Sequence, residues 1–198
     1  MFEEAKDHSN REPLTEEEIR SHTIGPLQPL SDRILIVDYD PRWPSLFQRE
    51  AGRIRSSLES RALRIEHTGS TSVPGLPAKP VIDMLLVVAD SRDEASYVPP
   101  LERAGYALRI READWHEHRM FKGPDTDVNL HVFSSGCAEI DRIITFRDWL
   151  RSNPADLDLY ARTKRELAQK EWKYVQNYAD AKTAVIEEII GRAHLGRK

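Results

Sequence analysis

Two spacings of apolar residues divide the chain into a part that combines strands with helices and a part that is helical only. Up to about residue 135, short apolar or alternating runs predict strands, and apolar residues three or four positions apart predict helices between them. The predicted strands cover 33–38, 62–68, 80–88, 106–110, 119–122 and 128–133, and the predicted helices cover 44–58 and 97–104. From Ala138 onward the spacing predicts helices over 138–152, 155–172 and 175–193. This pattern indicates an α+β fold that ends in a helical segment.

The pattern also predicts how the chain is organised around one core. Residues 1–30 are acidic, contain three prolines and few apolar residues, and are predicted to form a flexible tail. Thr15 and Glu18 have the spacing of a capping box, but a helix at this position is not expected to be stable on its own. Residues 31–137 are predicted to form the core, and the helices of 138–198 are predicted to pack on it.

Composition and charge narrow the classes of function. The chain has 198 residues, of which 39% are hydrophobic, and a net charge of -4. No apolar run approaches the roughly 20 residues of a membrane span, and the acidic N-terminus does not resemble a secretory signal, so a cytoplasmic location is expected. The single cysteine, Cys137, fits a reducing compartment and is interpreted as structural. Basic residues exceed acidic ones over 141–198, which favours an anionic ligand there, but no basic and aromatic stripe indicates a polynucleotide partner.

The segment 65–88 contains the strongest chemical signal. Asp83 lies inside an apolar strand, where an unpaired carboxylate would cost several kcal/mol to bury. A metal ion, a basic partner or a substrate is therefore expected beside it. Gly69 and Ser70, in the turn that precedes the strand, could supply backbone N–H groups and a hydroxyl to an anion.

Histidines form a second group of candidates. His67 precedes the turn and either faces the same cleft or is a half-buried histidine bonded to the backbone. His131 lies on the same face of a predicted strand as Asn129, because side chains alternate along a strand. His116 and His118 fall in a polar run, W-H-E-H-R, which is interpreted as an exposed loop or strand edge.

Basic residues form a third group. Lys79 and Arg119 are candidate contacts for a phosphate or carboxylate, although both could equally be ordinary surface residues. Tyr160 and Lys164 are spaced i, i+4, and Tyr178 and Lys182 repeat the spacing. The alternative for these pairs is a solvated helix face.

Six separated segments resemble, in order, the motifs of the GrpB family, whose members have a nucleotidyltransferase-like fold. They are V-D-Y-D-P-R-W-P-S-L-F, H-T-G-S-T-S-V-P-G-L-P-A-K-P-V-I-D, N-L-H-V-F, F-R-D-W-L-R-S-N-P, Y-A-R-T-K and Y-A-D-A-K. The resemblance covers about residues 32–192. It implies a mixed β-sheet flanked by helices.

The resemblance also implies roles for individual residues. In nucleotidyltransferases a Gly-Ser turn holds nucleotide phosphates and two acids spaced D-x-D bind divalent metal, so Gly69 and Ser70 match the turn and Asp83 the first acid. The second acid falls on Leu85 and is missing, and His131 is the candidate for the third position. Two metal ions about 4 Å apart need more hard oxygen ligands than this. The resemblance therefore leaves open a site for a single Mg²⁺, Mn²⁺ or Zn²⁺ ion that is bound by Asp83, His131 and His67.

Three functions follow as alternatives. The first is a metal-dependent nucleotidyltransferase that transfers a nucleoside monophosphate from a triphosphate to a small acceptor, with Asp83 and His131 catalytic. Its nucleotide contacts would be Gly69, Ser70, Lys79, Arg119, Lys164 and Lys182. The second is a non-catalytic module of the same fold that binds a nucleotide or a coenzyme A-like ligand, since in some bacteria a GrpB-like segment is joined to dephospho-CoA kinase. The third is a hydrolase with a single metal. The sequence does not indicate an oligomeric state.

Overall fold

The protein is built on one five-stranded sheet in the order β1-β2-β5-β4-β3. We describe residues 13–196 from a computed structural model. β2 and β5 run parallel and the other neighbouring strands are antiparallel, so the sheet is mixed and the α+β prediction is confirmed. The strands are β1 Arg64–Thr68, β2 Ile82–Val88, β3 Ala107–Glu112, β4 His118–Lys122 and β5 Val128–Ser134.

Seven helices surround the sheet within the described residues. They are α1 Glu16–His22, α2 Trp43–Leu58, α3 Glu94–Arg103, α4 Ala138–Ser152, α5 Pro154–Ala168, α6 Val175–Asp180 and α7 Thr183–Leu195. α2 and α3 cover one face of the sheet, because the apolar stripe of α2, spaced three or four residues apart, packs on the alternate residues Ile82, Met84 and Leu86 of β2. No helix between residues 13 and 196 is both long enough and apolar enough to cross a membrane.

The C-terminal helices pack on the loop between β1 and β2. Val73 and Leu76 of this loop are buried against Leu150 of α4, Tyr160 of α5 and Ile189 of α7. The helical segment thereby closes over the second face of the sheet at the position where the Gly-Ser turn lies.

Two elements differ from their prediction. Residues 33–38 do not form a strand of the sheet: only Val37 makes a bridge, to Ala78, while Ile34 packs against α5 and α6. Partial burial, and not pairing in the sheet, explains the apolar residues of this segment. The helix predicted over 175–193 is broken into α6 and α7, and Lys182 lies at the break.

Part of the segment predicted to be a tail packs against the core. The capping box of Thr15 and Glu18 forms, and Ile19 of α1 is buried. Thr23, which follows α1, bridges to Ile110 of β3, the edge strand of the sheet. Tertiary contacts therefore stabilise a helix that its sequence alone would not. The rest of the predicted tail, residues 1–12, lies outside the described residues.

Candidate functional site

A Gly-Ser turn lies directly against the carboxylate of Asp83. Gly69 follows β1 with a φ of 63° and a ψ of −172°, a conformation that is almost restricted to glycine. A Cβ atom at this position would lie 2.8 Å from Cβ of Asp83 and closer still to Oδ2. Ser70 then begins a single 3₁₀ turn. Glycine is required here for two independent reasons, the backbone conformation and the approach of Asp83.

Arginines of α4 fix the turn from outside the sheet. Arg151 donates through Nε and Nη2 to the carbonyl oxygen of Ser72, at 3.1 and 2.7 Å. Arg147 donates to the carbonyl oxygen of His67 at 3.0 Å and to Glu66 at 2.8 Å. These charge-assisted bonds hold the two ends of the turn on the helical segment, so its geometry depends on how α4 is docked.

Asp83 is half-buried at the floor of a cleft on the second face of the sheet. β2 and β5 place Asp83 opposite Asn129, whose side-chain amide donates to Oδ1 at 2.8 Å. Burial raises the pKa of Asp83, while the bond from Asn129 and the charges of nearby lysines act in the opposite direction. The carboxylate is therefore oriented by a neutral group and balanced by cations.

Four lysines surround this carboxylate, and we call them, with Asp83, the lysine end of the cleft. Their positions are Lys79 after the turn, Lys122 on β4, Lys164 on α5 and Lys182 between α6 and α7. Lys79, Lys122, Lys164 and Lys182 all interact electrostatically with Asp83. Asp127, which also lines the cavity, pairs with Lys122 at 2.9 Å. Four lysines against two acids leave this end with an excess of positive charge that favours an anion.

Lys164 is the most enclosed of the four. Its Nζ donates to Oγ of Ser70 at 2.9 Å and to the carbonyl oxygen of Pro77, and it lies 4.8 Å from the ring centroid of Tyr160. Burial, with the charges of Lys182 and Arg165, lowers the pKa of Lys164 to about 7. The enclosed ammonium group is therefore easier to deprotonate than an exposed lysine.

Lys182 repeats this arrangement on the next helices. Its Nζ lies 4.6 Å from the ring centroid of Tyr178, and burial lowers the pKa of both Lys182 and Lys79. The hydroxyl of Tyr178 is buried and has no hydrogen-bond partner among residues 13–196. Both predicted Tyr-Lys pairs thus face the cleft and not solvent.

The lysine end opens into a cavity of about 740 Å³ that continues across the sheet. Its other side, which we call the histidine end, contains His22, Glu112, His118 and His131. The volume is within the range of sites that bind ligands of nucleotide size. One cavity therefore joins the lysines to the histidines.

His67 and Arg119, two of the predicted site residues, lie on the opposite face of the sheet. Antiparallel pairing places Thr68 beside Asp83, so the preceding residue, His67, faces away and stacks on Phe47, with ring centroids 4.8 Å apart. Burial lowers the pKa of His67 to about 4. The prediction that His67 binds metal together with Asp83 is therefore wrong, because Thr68 shares the face of Asp83 and neighbouring residues of a strand point to opposite faces.

Arg119 is separated from the cleft by the same alternation. On β4 it points toward α3, where its Nε donates to Glu94 at 2.6 Å, and Arg111 binds the same carboxylate. These two arginines lower the pKa of Glu94 to about 2. Arg119 forms a structural ion pair. Lys122, which the sequence also offered as a phosphate or carboxylate contact behind Lys79 and Arg119, is the basic residue that β4 directs toward Asp83.

His131 and His118 form a pair. His131 faces the cleft as predicted but lies opposite Leu85, and its Nδ1 is 3.0 Å from Nε2 of His118. His118 is buried and not exposed as predicted, since β4 turns it inward beside Glu112. The side chain that contacts Asp83 is Asn129, which the sequence had placed on the same face as His131.

The place of the second acid is filled by apolar packing. Leu85 faces the same side as Asp83 but is fully buried with Val87, Phe133 and Ile140 of α4. Between residues 13 and 196 no three histidine, cysteine, aspartate or glutamate side chains come close enough to hold a metal ion. The predicted set of Asp83, His131 and His67 therefore does not form. Asp83 can contribute one carboxylate to a Mg²⁺ ion that arrives with substrate phosphates.

The fold and site together define an α+β domain with a lysine-rich cleft at a Gly-Ser turn. The chain belongs to the GrpB family: the family description "GrpB protein" matches residues 33–192. It is 63% identical to the UPF0157 protein BH1888 of Halalkalibacterium halodurans, over 96% of this chain and 97% of that protein.

A solved structure and a longer relative extend the comparison. The crystal structure of the conserved protein GrpB from Enterococcus faecalis has a TM-score of 0.72 and 31% identity, and the match covers 82% of this chain and 99% of that one. A dephospho-CoA kinase of Mycolicibacterium paratuberculosis is 28% identical over 87% of this chain, which spans 49% of that protein.

Proposed function

We propose that this protein is a nucleotidyltransferase that binds a nucleoside triphosphate at the lysine end of the cleft. The observation that carries the proposal is the convergence of four lysines on one half-buried aspartate beside a Gly-Ser turn. A triphosphate has the charge that these lysines can neutralise, and the turn supplies a hydroxyl and N–H groups for its phosphate oxygens.

The chain's own residues divide the work of binding and transfer. Lys164 is held on Ser70, so a phosphate bound at the turn would meet both groups. Lys79 and Lys182 would neutralise charge that develops on the leaving pyrophosphate, which is the main requirement of phosphoryl transfer. Asp83, oriented by Asn129, would accept Mg²⁺ that enters with the triphosphate and adds further positive charge.

Pyrophosphate release tests this proposal. The purified protein is incubated with ATP, CTP, GTP or UTP, with Mg²⁺ or Mn²⁺, and with a small alcohol as the acceptor, and we expect pyrophosphate release with at least one triphosphate. Asp83→Asn keeps the shape of the side chain and removes its charge, and it should abolish release. Asp90→Asn is the matched control, since Asp90 pairs with Arg92 outside the cavity. Release that persists unchanged in Asp83→Asn would contradict the proposed site.

A second function, ligand binding without transfer, is favoured by one comparison. This chain matches about half the length of a protein named dephospho-CoA kinase, so a similar domain forms part of a protein whose name refers to coenzyme A. The same cleft would then hold a coenzyme A-like ligand through its phosphates. Thermal shift with coenzyme A, dephospho-CoA and ATP distinguishes the two functions: stabilisation without pyrophosphate release from any triphosphate supports the binding module. The hydrolase with a single metal has no such support, because its three ligands do not converge.

A further inference from the structure

Three ionisable side chains form a hydrogen-bonded chain at the histidine end of the cleft. Oε2 of Glu112 is 2.7 Å from Nδ1 of His118, and Nε2 of His118 is 3.0 Å from Nδ1 of His131. The two imidazole rings are stacked, with centroids 5.2 Å apart and planes at 16°. β3, β4 and β5 each contribute one residue, so the chain is fixed by strand pairing and not by a loop.

The hydrogen atoms of this chain can be assigned from the donor and acceptor capacity of each group. The Glu112 carboxylate only accepts, so Nδ1 of His118 carries a hydrogen. The contact between the two imidazoles needs one donor and one acceptor: with Nε2 of His118 as the acceptor, Nδ1 of His131 is the donor. Nε2 of His131 is left with a lone pair, and within residues 13–196 it makes no hydrogen bond. The chain therefore presents an acceptor nitrogen at a residue that lines the cavity.

We propose that His131 is the general base that activates the acceptor substrate, and that Glu112 and His118 are positioning residues. The inference rests on the proposed nucleotidyl transfer. The acceptor's O–H bond breaks, its proton passes to Nε2 of His131, and the oxygen forms a bond to the α-phosphorus. The bond from the α-phosphorus to the bridging oxygen breaks, and pyrophosphate leaves toward the lysine end. The arrangement is that of a base oriented by a third group.

His131 is unprotonated in the free protein, as a base must be, but its lowered pKa makes it a weak base unless the imidazolium is stabilised during transfer. Burial lowers the pKa of His131 to about 3, which keeps the imidazole neutral near pH 7 in the free protein. The Glu112 carboxylate acts in the opposite direction and stabilises the imidazolium that forms during transfer. Nδ1 of His22 lies 3.6 Å from the other oxygen of Glu112 and forms no hydrogen bond among the described residues.

The surroundings indicate what kind of acceptor this end would take. Ile19 of α1, Ile110 of β3 and Met120 of β4 line the cavity beside the histidines. These apolar side chains favour an acceptor alcohol that has an apolar part beside the histidines. The structure thus assigns the triphosphate to one end of the cavity and an apolar alcohol to the other.

The tautomer of His131 tests the hydrogen-bonded chain without any substrate. Two-bond ¹H–¹⁵N correlation spectra of the ¹⁵N-labelled protein distinguish the two neutral tautomers, and we expect His131 to carry its hydrogen on Nδ1. In His118→Phe, which preserves a stacked ring but removes the acceptor, His131 should lose that preference. A hydrogen on Nε2 of His131 in the unmodified protein would overturn the inference.

Kinetics test the catalytic role. Pyrophosphate release is measured with the triphosphate that is turned over fastest and with 1-butanol as the acceptor probe. We expect His131→Gln to lower kcat by about 100-fold or more and to change KM for the triphosphate by less than about twofold. His118→Phe should lower kcat by about tenfold, and His194→Gln, an exposed histidine outside the cavity, should have no effect.

The outcomes separate this inference from the proposed function. Unchanged kcat in His131→Gln, with release in the unmodified protein, would refute the base and leave the transferase intact. A parallel rise in KM would also refute it, because it would show a binding role. Absence of release from every triphosphate would refute the transferase and the base together.

Discussion

Replacing Lys164 by methionine should change how the stability of the protein depends on pH. Lys164 is 2% exposed, and its pKa in the folded state is about 7, against an ordinary value of 10.5. Between these two values the unfolded chain holds a proton that the folded protein has released, so the free energy of unfolding rises with pH. With a pKa shift of this size, the rise from pH 7 to pH 9 is about 2 kcal/mol.

Urea unfolding at pH 7 and pH 9 measures this difference. In Lys164→Met the contribution disappears, so the variant's free energy of unfolding should rise by about 2 kcal/mol less than that of the unmodified protein. The lost hydrogen bonds to Ser70 and Pro77 lower stability at both pH values and cancel in the comparison. Lys170→Met, at an exposed position, provides the control. Equal pH dependence in Lys164→Met and the unmodified protein would show that Lys164 is not desolvated, which would refute the reasoning.

Three further substitutions test how the cleft is built. Gly69→Ala should destabilise the fold by about 1–3 kcal/mol more than Gly75→Ala in urea unfolding, because both glycines have positive φ but only Gly69 meets Asp83. Arg119→Met should lower the unfolding midpoint, because it breaks the ion pair with Glu94, and should leave the thermal shift induced by ATP unchanged. Loss of that shift would show that Arg119 contributes to ligand binding. Leu85→Asp should cost several kcal/mol in urea unfolding and gain no Mn²⁺ binding, since the new carboxylate would be buried and unpaired. A stable Leu85→Asp variant that binds Mn²⁺ in calorimetry would contradict this.

The parts of the site that the sequence predicted depend on local signals. A charged residue in an apolar strand singled out Asp83, and the glycine before Ser70 indicated a turn against that strand. Alternation along β5 placed Asn129 and His131 on one face, as the structure shows. Each of these inferences needs only the neighbours of a residue in the chain. They hold in the folded protein because side chains alternate between the two faces of a strand.

The missed parts depend on contacts between distant segments. Whether His67 or Thr68 faces Asp83 is decided by the register of β1 on β2, and a shift of one residue would reverse it. The polar run that contains His118 looked exposed because its partner, His131, is 13 positions away. Capping favoured α1 locally, but its burial of Ile19 comes from docking near β3. Sequence spacing contains no information on these registers and docking choices.

The docking of the C-terminal helices on the sheet explains both the missing second acid and the lysines that these helices add beside Asp83. In a D-x-D strand the two acids share a face, and here the second position is Leu85, which packs under Ile140 of α4. Because α4 occupies that space, a second carboxylate and the metal it would bind have no room. The same helical segment carries Lys164 and Lys182 toward Asp83. In the proposed transfer, ammonium groups would provide the charge that a second metal would otherwise supply, because they attract phosphates as point charges without requiring a rigid ligand set. Such a cleft would select its ligand mainly by charge and would depend less on which metal accompanies it.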